Sequence, residues 1–204
     1  QTITERIYGR QGSAEELPEQ LVEMPDGSLL IAGYLTKPDG GGFYDVFLQK
    51  LDAGGESLWL RTYGGPANDV ALCAAAAPDG GFVFGGYTES EGQGRADGFI
   101  KKADAEGDVE WTALFGAAGW DQVTRVSATA SGHYLGCGTA VYDKNTNGQD
   151  VFWALLDAQG AVLAQEVIAS EYFDEAWDIA ESPDGNIVVL YRSVYYTCAK
   201  YSPS

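Results

Sequence analysis

A repeat of about 53 residues runs through this chain of 204 residues and limits the folds that it can adopt. Its first marker is a Pro-Asp-Gly or Ala-Ser-Gly turn, whose glycines lie 53, 52 and 53 positions apart: Gly27, Gly80, Gly132 and Gly185. A second turn, Asp-Ala-x-Gly, follows the same period: Asp52–Gly55, Asp104–Gly107 and Asp157–Gly160. A period of about 50 residues is typical of a four-stranded propeller blade, so the repeat predicts a propeller.

Each repeat consists of short apolar segments separated by Gly, Pro and Asp turns. In the second repeat these segments are DVALCAAAA, GFVFGGYT, DGFIKKAD and DVEWTALF. Their length and alternation predict strands, and nothing of helical period competes with them. We therefore expect an all-β fold, a β-propeller of four four-stranded antiparallel blades in one domain, residues 1–204. The expected blades are 10–62, 63–114, 115–167, and 168–204 plus 1–9.

The two ends of the chain predict how the last blade is completed. Thr2–Gly9, TITERIYG, matches the outer strand Leu58–Gly65, LWLRTYGG, whereas the chain ends on Tyr195–Tyr201, which matches a third strand. The amino-terminal strand is therefore expected to supply the missing fourth strand of the last blade, because closure removes an open sheet edge. The same sequence supports an alternative, a half-ring that dimerises into an eight-bladed propeller.

The second repeat, from YGGPANDV to DAEGDVEW, resembles the repeat of many secreted or surface-attached bacterial β-propeller proteins. Its shared features are an aromatic-Gly-Gly step, Asp-Gly-Gly, Gly-x-Thr, Lys-x-Asp-x-x-Gly and a Trp. The resemblance covers essentially the whole chain, although the fourth repeat loses the Gly-x-Thr and Asp positions. It implies an extracellular, periplasmic or cell-surface location in a bacterium, and binding more often than catalysis.

Composition excludes several classes of partner. The formal net charge of −18 disfavours nucleic acid and anionic membrane surfaces, both of which repel an acidic protein. No apolar run approaches the ~20 residues that a membrane-spanning helix needs, so membrane insertion is not expected. Three scattered cysteines and one histidine disfavour both a disulfide framework and a zinc site.

A carboxylate stands eleven positions before each turn glycine, at the expected mouth of the propeller channel. These residues are Glu16, Asp69, Asp121 and Asp174. Four carboxylates around a channel suit a hard cation such as calcium. Because the residue recurs in every repeat, the favoured interpretation is that each one accepts N–H groups of its own loop.

A second set, seven positions before each turn glycine, differs from repeat to repeat: Gln20, Cys73, Arg125 and Asp178. We expect these residues to line the channel, with Arg125 pairing with Asp178. A cation near Cys73 would favour its thiolate, which makes Cys73, Arg125, Asp178 and Glu175 weak catalytic candidates. The alternative is a structural ion pair beside a buried thiol.

The stretch Tyr142–Asp150, YDKNTNGQD, resembles the first half of a calcium loop. Asp143, Asn145 and Asn147 place oxygen atoms at alternate positions before a glycine, but the distal Glu of such a loop is absent. Calcium at this loop, or at the carboxylate ring, is the only cofactor that the sequence suggests. The alternative is a Gly- and Asn-rich turn without a metal.

The fourth repeat carries the densest aromatic and charged cluster, and it supplies the expected ligand-binding residues: Trp177, Tyr191, Arg192, Tyr195 and Tyr196. Aromatic rings beside charged groups suit sugar rings and protein interfaces alike. The favoured function is an exported, non-catalytic module, monomeric or homodimeric, that binds a glycan or a protein through one propeller face. The alternatives are a carbohydrate-active enzyme with carboxylates at the channel mouth, and the structural half-ring.

Overall fold

The computed structural model describes residues 15–37, 43–116, 118–141, 148–170 and 172–202, which form fifteen strands in four antiparallel sheets. The first sheet contains β1 (Glu16–Glu23), β2 (Leu29–Thr36), β3 (Tyr44–Leu51) and β4 (Ser57–Tyr63). The second contains β5 (Asp69–Ala76), β6 (Phe82–Thr88), β7 (Asp97–Ala103) and β8 (Val109–Phe115). The third contains β9 (Gln122–Ala128), β10 (Tyr134–Ala140), β11 (Asp150–Leu156) and β12 (Val162–Ile168). The fourth contains β13 (Glu175–Glu181), β14 (Ile187–Arg192) and β15 (Tyr196–Tyr201).

Strands within each sheet pair in chain order, as propeller blades do. The predicted fold class, an all-β propeller of antiparallel blades, is confirmed. The strand that was predicted to complete the last blade, residues 1–9, lies outside the described residues. None of the described segments forms a helix long and apolar enough to cross a membrane.

The repeated turns close the hairpins through backbone and aspartate hydrogen bonds. In the first turn of the second sheet, Gly80 N donates to Ala77 O at 3.1 Å, and the φ of +88° at Gly80 is a left-handed conformation that favours glycine. In the Asp-Ala-x-Gly turn, Asp104 Oδ1 accepts from the backbone N–H groups of Glu106 and Asp108 at 3.1 and 2.8 Å. These local bonds explain why the turn residues recur with the repeat.

A β-bulge in the first strand of each sheet explains a recurring glycine in the second strand. In the second sheet the register shifts between Ala71 and Cys73, opposite Gly86. A Cβ at Gly86 would lie 1.8 Å from Val70 O, so no other residue fits unless the two strands move apart. The fourth sheet has Tyr191 at this position, paired with Ala176, so the bulge is retained without the glycine.

The hydrophobic core consists of side chains packed between neighbouring sheets. Three clusters of buried side chains join the first sheet to the second, the second to the third and the third to the fourth. In each interface the side chains of one sheet pack against those of the next, for example Leu30 and Leu48 in one cluster with Phe84. The second and third sheets are thus covered on both faces.

A buried lysine ties the third strand of the second sheet to the turn of the same sheet. Lys102 is 1% exposed, and its ammonium lies 2.9 Å from Asp79 and 2.8 Å from Glu110. Lys50 and Lys200 hold the same position in the first and fourth sheets, and each pairs with the aspartate of its own turn. The lysine and the turn aspartate are 24 and 23 positions apart in the first two sheets but only 16 apart in the fourth, so sequence spacing alone does not reveal this pairing.

Candidate binding surface

Large apolar side chains are exposed together at one end of the fourth sheet, beyond the start of β13 and between β14 and β15. Tyr172 and Phe173 precede β13 and are 56% and 54% exposed, and Val194 and Tyr195 form the β14–β15 turn and are 52% and 80% exposed. We call these four residues the aromatic ridge. Exposed apolar side chains that cluster in this way typically mark an interaction site.

One serine links the two loops that carry the aromatic ridge. Ser170 Oγ accepts from Tyr172 N at 3.0 Å and donates to the carboxylate of the buried Asp174 at 3.0 Å. It also lies 3.3 Å from Ser193 Oγ, at the start of the β14–β15 turn. Ser193 N in turn donates to Tyr195 O at 3.1 Å, which closes that turn. The ridge is therefore held on a connected hydrogen-bond network rather than on independent loops.

A shallow cleft of about 360 Å³ adjoins the ridge and is lined by Arg192, Val194, Tyr195 and Tyr196. Arg192 Nη2 lies 3.2 Å from Glu175 Oε2, and both side chains are nearly half exposed. The cleft therefore combines apolar rings with one solvated ion pair. This combination can stack on a flat ligand and exchange hydrogen bonds at its rim.

The other two predicted ligand-binding residues have different surroundings. Tyr191 packs against the core between the third and fourth sheets, because strand alternation turns it to the covered face. Trp177 is the extra residue of the β13 bulge, and its ring centroid lies 5.1 Å from that of Tyr196. Both rings of this pair lie outside the core cluster between the third and fourth sheets. Arg192, Tyr195 and Tyr196 are thus brought together, whereas Tyr191 is not part of the surface.

Three carboxylates of the predicted ring accept hydrogen bonds from their own or a neighbouring loop. Asp69 accepts from Gly65 N and from Ser90 Oγ, both at 2.7 Å, and also from the hydroxyl of Thr88. Asp121 accepts from Val141 N at 2.6 Å. Asp174 binds Ser170, as described above, and Glu16 lies half-buried at the start of β1. In the described part of the chain, no group of three or more His, Cys, Asp or Glu side chains could hold a metal ion.

Two members of the second predicted set, Gln20 and Arg125, make contacts across the sheet interfaces. Gln20 Oε1 accepts from Ala74 N at 3.0 Å, across the first interface. Arg125 reaches the fourth sheet, where its Nε lies 3.6 Å from Asp178 Oδ1 and donates to Trp177 O at 3.4 Å. The expected pairing of Arg125 with Asp178 is present, as a half-exposed ion pair.

The expected effect of a nearby cation on the Cys73 thiol is present, but burial outweighs it. Cys73 is 0% exposed, and burial raises the pKa of its thiol to about 12, outweighing the opposing effect of the Arg125 charge. The buried thiol donates to Gly85 O at 3.5 Å. His133, the only histidine in the sequence, sits in the turn between β9 and β10 beside Ser131, 3.3 Å from its hydroxyl.

The acidic candidates are engaged as well. Glu175 pairs with Arg192 and Asp178 pairs with Arg125, so neither carboxylate faces an open pocket without a cationic partner. The predicted calcium ligands Asp143, Asn145 and Asn147 lie outside the described residues. Nucleophile, base and acid roles are therefore not assembled from the candidates that the structure describes.

Comparison with known proteins gives a likeness of fold and one distant sequence relative. No family model matches the chain. Regulatory protein FlaEY of Caulobacter vibrioides is 28% identical over an alignment of 144 residues, and the match covers 64% of this chain but only 15% of FlaEY. A protein of unknown function from Bacteroides caccae superposes with a TM-score of 0.53 at 14% identity, over 90% of this chain and 61% of that protein. The mannose phosphorylase MPT-4 of Leishmania mexicana gives a TM-score of 0.48 at 12% identity, over 89% of this chain and 65% of the enzyme. At these identities, the structural likeness to the Bacteroides protein is one of fold alone.

Proposed function

We propose that this chain is a non-catalytic binding module that recognises a glycan or a protein through the aromatic ridge of its fourth sheet. The observation that carries the proposal is the joint exposure of Tyr172, Phe173, Val194 and Tyr195 on two hydrogen-bonded loops. Exposing four large apolar side chains in one place is unfavourable in water, so we expect a bound partner to bury them.

The repeat pattern also supports the fourth sheet as the binding surface. The first three sheets join their second and third strands by loops that contain several glycines or asparagines, whereas β14 and β15 are joined by Ser193, Val194 and Tyr195 alone. Positions that serve the repeat stay alike, and this turn departs from it by placing an 80%-exposed tyrosine at the tip. Tyrosine offers a large apolar ring and a hydroxyl at low conformational cost, which suits recognition.

The catalytic alternative has no comparable observation in its favour. Its candidate carboxylates, Glu175 and Asp178, are paired with arginines, and its candidate thiol, Cys73, is buried with a raised pKa. A binding role requires only the exposed rings and the adjacent ion pair.

The test is a comparison of matched variants on two kinds of target. Wild type, Tyr195→Ala, Phe173→Ala and the control Phe43→Ala are applied to a glycan microarray that includes bacterial surface polysaccharides. Phe43 is 42% exposed on the first sheet, away from the ridge, so its variant controls for the loss of any exposed aromatic side chain. The ridge variants are expected to lose about tenfold or more in affinity, with unchanged melting temperatures, because such anchors dominate binding energy.

A protein partner is tested separately, with benzoylphenylalanine placed at position 195 or at position 43 and irradiated in the presence of a bacterial surface extract. Adducts specific to position 195 support a protein ligand. The proposal is overturned if no glycan binds and the two positions give the same adducts.

We further propose that the module is exported by a bacterium, in line with the resemblance of its repeats to those of surface propellers. Immunoblotting of supernatant, periplasmic and cytoplasmic fractions of the source bacterium tests this. Retention in the cytoplasm would contradict it.

A further inference from the structure

Two aspartates from neighbouring sheets approach each other at each interface that the structure describes. One lies at the start of the third strand of a sheet and the other leads into the first strand of the next: Asp45 with Asp69, Asp97 with Asp121, and Asp150 with Asp174. Beside the second and third pairs the backbones are hydrogen-bonded, since Asp121 N donates to Ala96 O and Asp174 N donates to Gln149 O, both at 2.9 Å. We call these three sets the inter-sheet aspartate pairs.

The carboxylates of a pair are close enough to interact. At the first pair, a Cβ added to Gly64 would clash with Asp45 Oδ1 and lie 2.9 Å from Asp69 Oδ2, so both carboxylates lie against the same glycine. At the second pair, burial raises the pKa of Asp97 above its usual 3.8, and the charge of Asp121 raises it further. Like charges that are buried together are unfavourable unless a cation or a proton balances them.

The first pair has a cation from the chain itself. Lys37 Nζ lies 3.1 Å from Asp45 Oδ1 and also donates to Gly65 O, and the Lys37 side chain is only 14% exposed. Gly65 N in turn donates to Asp69 Oδ2 at 2.7 Å. The chain therefore places one ammonium between the first carboxylate and the backbone that binds the second.

The third pair is almost completely buried, because Asp150 is 4% exposed and Asp174 is 0% exposed. Asp174 Oδ1 accepts from Ser170 Oγ at 3.0 Å, whereas Asp174 Oδ2 is buried and has no hydrogen-bond donor among the described residues. Within the same residues, no lysine or arginine forms an ion pair with Asp174. A buried carboxylate oxygen without a donor indicates that a bound ion or a proton completes the site.

We propose that Asp150 and Asp174 bind one calcium ion between the third and fourth sheets. Two carboxylates carry two negative charges, which one divalent cation balances, and oxygen atoms are the ligands that calcium prefers. Backbone carbonyls and water complete many calcium sites in proteins, so two carboxylates are sufficient to anchor the ion. The ion takes the part that the ammonium of Lys37 has at the first pair. Magnesium is expected to bind less well, because it requires near-ideal octahedral geometry and gives up its water reluctantly.

The position of the third pair determines the effect of calcium. Asp150 starts β11 of the third sheet and Asp174 leads into β13 of the fourth, so one ion bridges the two sheets. Without the ion, two buried carboxylates repel each other across this interface. Calcium is therefore expected to stabilise the folded chain, whatever the aromatic ridge binds.

The first test uses wild-type protein freed of metal with EDTA, at pH 7 in 0.15 M NaCl, which screens weak binding to the acidic surface. The melting temperature is measured without divalent cations, in 10 mM calcium and in 10 mM magnesium, and calcium binding is measured by isothermal titration calorimetry. We expect one calcium per chain and a rise in melting temperature of about 3 to 10 °C in calcium, with a smaller rise in magnesium.

Variants of the pair locate the ion. Asp174→Asn and Asp150→Asn each remove one charge and keep the size of the side chain, so both are expected to lose the calcium-dependent rise. In the absence of calcium, Asp174→Asn should melt at or above the temperature of wild type, because the repulsion is removed. Asp45→Asn is the matched control. Asp45 holds the equivalent position in the first pair, where Lys37 is the cation, so this variant should keep the full calcium-dependent rise.

Three results contradict the calcium site. A wild type that binds no calcium in the calorimeter, and whose melting temperature calcium does not change, refutes it even if no variant folds. A rise that persists in Asp174→Asn, or that is equally large in magnesium, shows binding to surface carboxylates instead. If calcium has no effect but lowering the pH from 7 to 5 raises the melting temperature of wild type and not of Asp174→Asn, the pair takes a proton. Tyr195→Ala keeps both aspartates and should retain the calcium response, so this proposal and the proposed function fail independently.

Discussion

The buried ammonium of Lys102 gives the most stringent stability prediction, because its surroundings are strongly asymmetric. Lys102 is 1% exposed, whereas the side chains of its partners Asp79 and Glu110 are 55% and 48% exposed. Removing the lysine leaves two carboxylates that water can reach. Removing both carboxylates leaves the ammonium buried. Among the described residues it then keeps its hydrogen bond to Ala103 O, at 3.1 Å.

The expected costs follow from this asymmetry. Lys102→Met keeps the apolar stem and gives up pairs with solvated partners, so it should lower the free energy of unfolding by only about 0 to 1.5 kcal/mol. The double variant Asp79→Asn/Glu110→Gln should lower it by about 2 to 4 kcal/mol, below the loss for a fully enclosed pair because water still reaches this turn. The triple variant, with all three changes, should recover to within about 1 kcal/mol of Lys102→Met.

The third sheet already contains the apolar version of this arrangement. Leu155 stands at the position of Lys102, and Ser131 replaces the turn aspartate. This type of sheet therefore accepts neutral side chains at both positions. Stability is expected to fall only when the carboxylates are removed and the buried ammonium stays.

Urea unfolding of the four proteins, followed by tryptophan fluorescence, measures these differences. The reasoning is refuted if Lys102→Met costs as much as the double variant, or if the triple variant is no more stable than the double. Lys101→Met serves as the matched control. Lys101 is adjacent on β7, and its ammonium pairs with the half-exposed Glu91 and lies 5.6 Å from the centre of the Phe99 ring, so little change is expected.

The ion pair between Lys102 and Asp79 also makes the free energy of unfolding depend on pH. Burial opposes the charged ammonium, but hydrogen bonds to Asp79 and Glu110 outweigh it and raise the pKa of Lys102 above its usual 10.5. Burial likewise opposes the carboxylate of Asp79, and hydrogen bonds from Lys102 and Gly81 lower its pKa below 3.8. The lysine contribution is therefore complete below pH 10.5 and lost above it, and the aspartate contribution is complete above pH 3.8 and lost below it. The stability difference between wild type and Lys102→Met should be constant between these limits and shrink outside them.

Three further outcomes are expected. Cys73 and Cys137, whose thiol pKa values are raised by burial, should resist iodoacetamide at pH 8 in the folded protein and react only after unfolding, as mass spectrometry can show. Gly86→Ala should destabilise by about 3 kcal/mol or more, because its Cβ meets Val70 O, whereas Gly80→Ala, with open space around it, should cost only about 1 to 2 kcal/mol for its left-handed φ. Asp69→Ala should lower the free energy of unfolding by about 2 to 4 kcal/mol, measured in urea, since it leaves several loop donors without their acceptor. Equal losses of stability for Gly86→Ala and Gly80→Ala, or an unchanged stability for Asp69→Ala, would contradict these assignments.

The fold could be predicted from the sequence because the turns that separate its strands depend on residues close together in the chain. Each aspartate of the Asp-Ala-x-Gly turns accepts from N–H groups two and four residues ahead, as Asp104 does, and each turn glycine adopts a left-handed φ. These requirements act within five residues, so they are visible in one sequence. The β5 to β8 bounds agree with the expected segments of the second repeat to within a few residues.

The site was harder to predict because exposure depends on the neighbouring sheet. Tyr191 and Tyr195 are the same residue type four positions apart, yet one packs on the third sheet and the other is 80% exposed. Tyr172, Phe173 and Val194, three of the four residues of the aromatic ridge, were not among the expected ligand-binding residues. The signal for Val194 was the shortened turn between the second and third strands of the fourth repeat, whereas Phe173 lies before the first strand of that repeat.

Electrostatic expectations failed where burial competes with a charge. The sequence indicated a cation near Cys73, and Arg125 does lower the pKa of that thiol, but complete burial raises it by more. Sequence spacing gives the sign of a neighbouring charge, whereas the size of the desolvation effect depends on packing. Arg125 and Asp178, which remain half solvated, were predicted correctly as a pair.

The most direct test of the binding role is the affinity of Tyr195→Ala relative to Phe43→Ala for whichever array glycan or cross-linked protein wild type binds. Tyr195 is the most exposed large side chain of the ridge, and Phe43 is an exposed aromatic residue on another sheet. Our account predicts that Tyr195→Ala loses about tenfold or more in affinity while Phe43→Ala binds like wild type. Equal affinities for the two variants, with both folded, would contradict it.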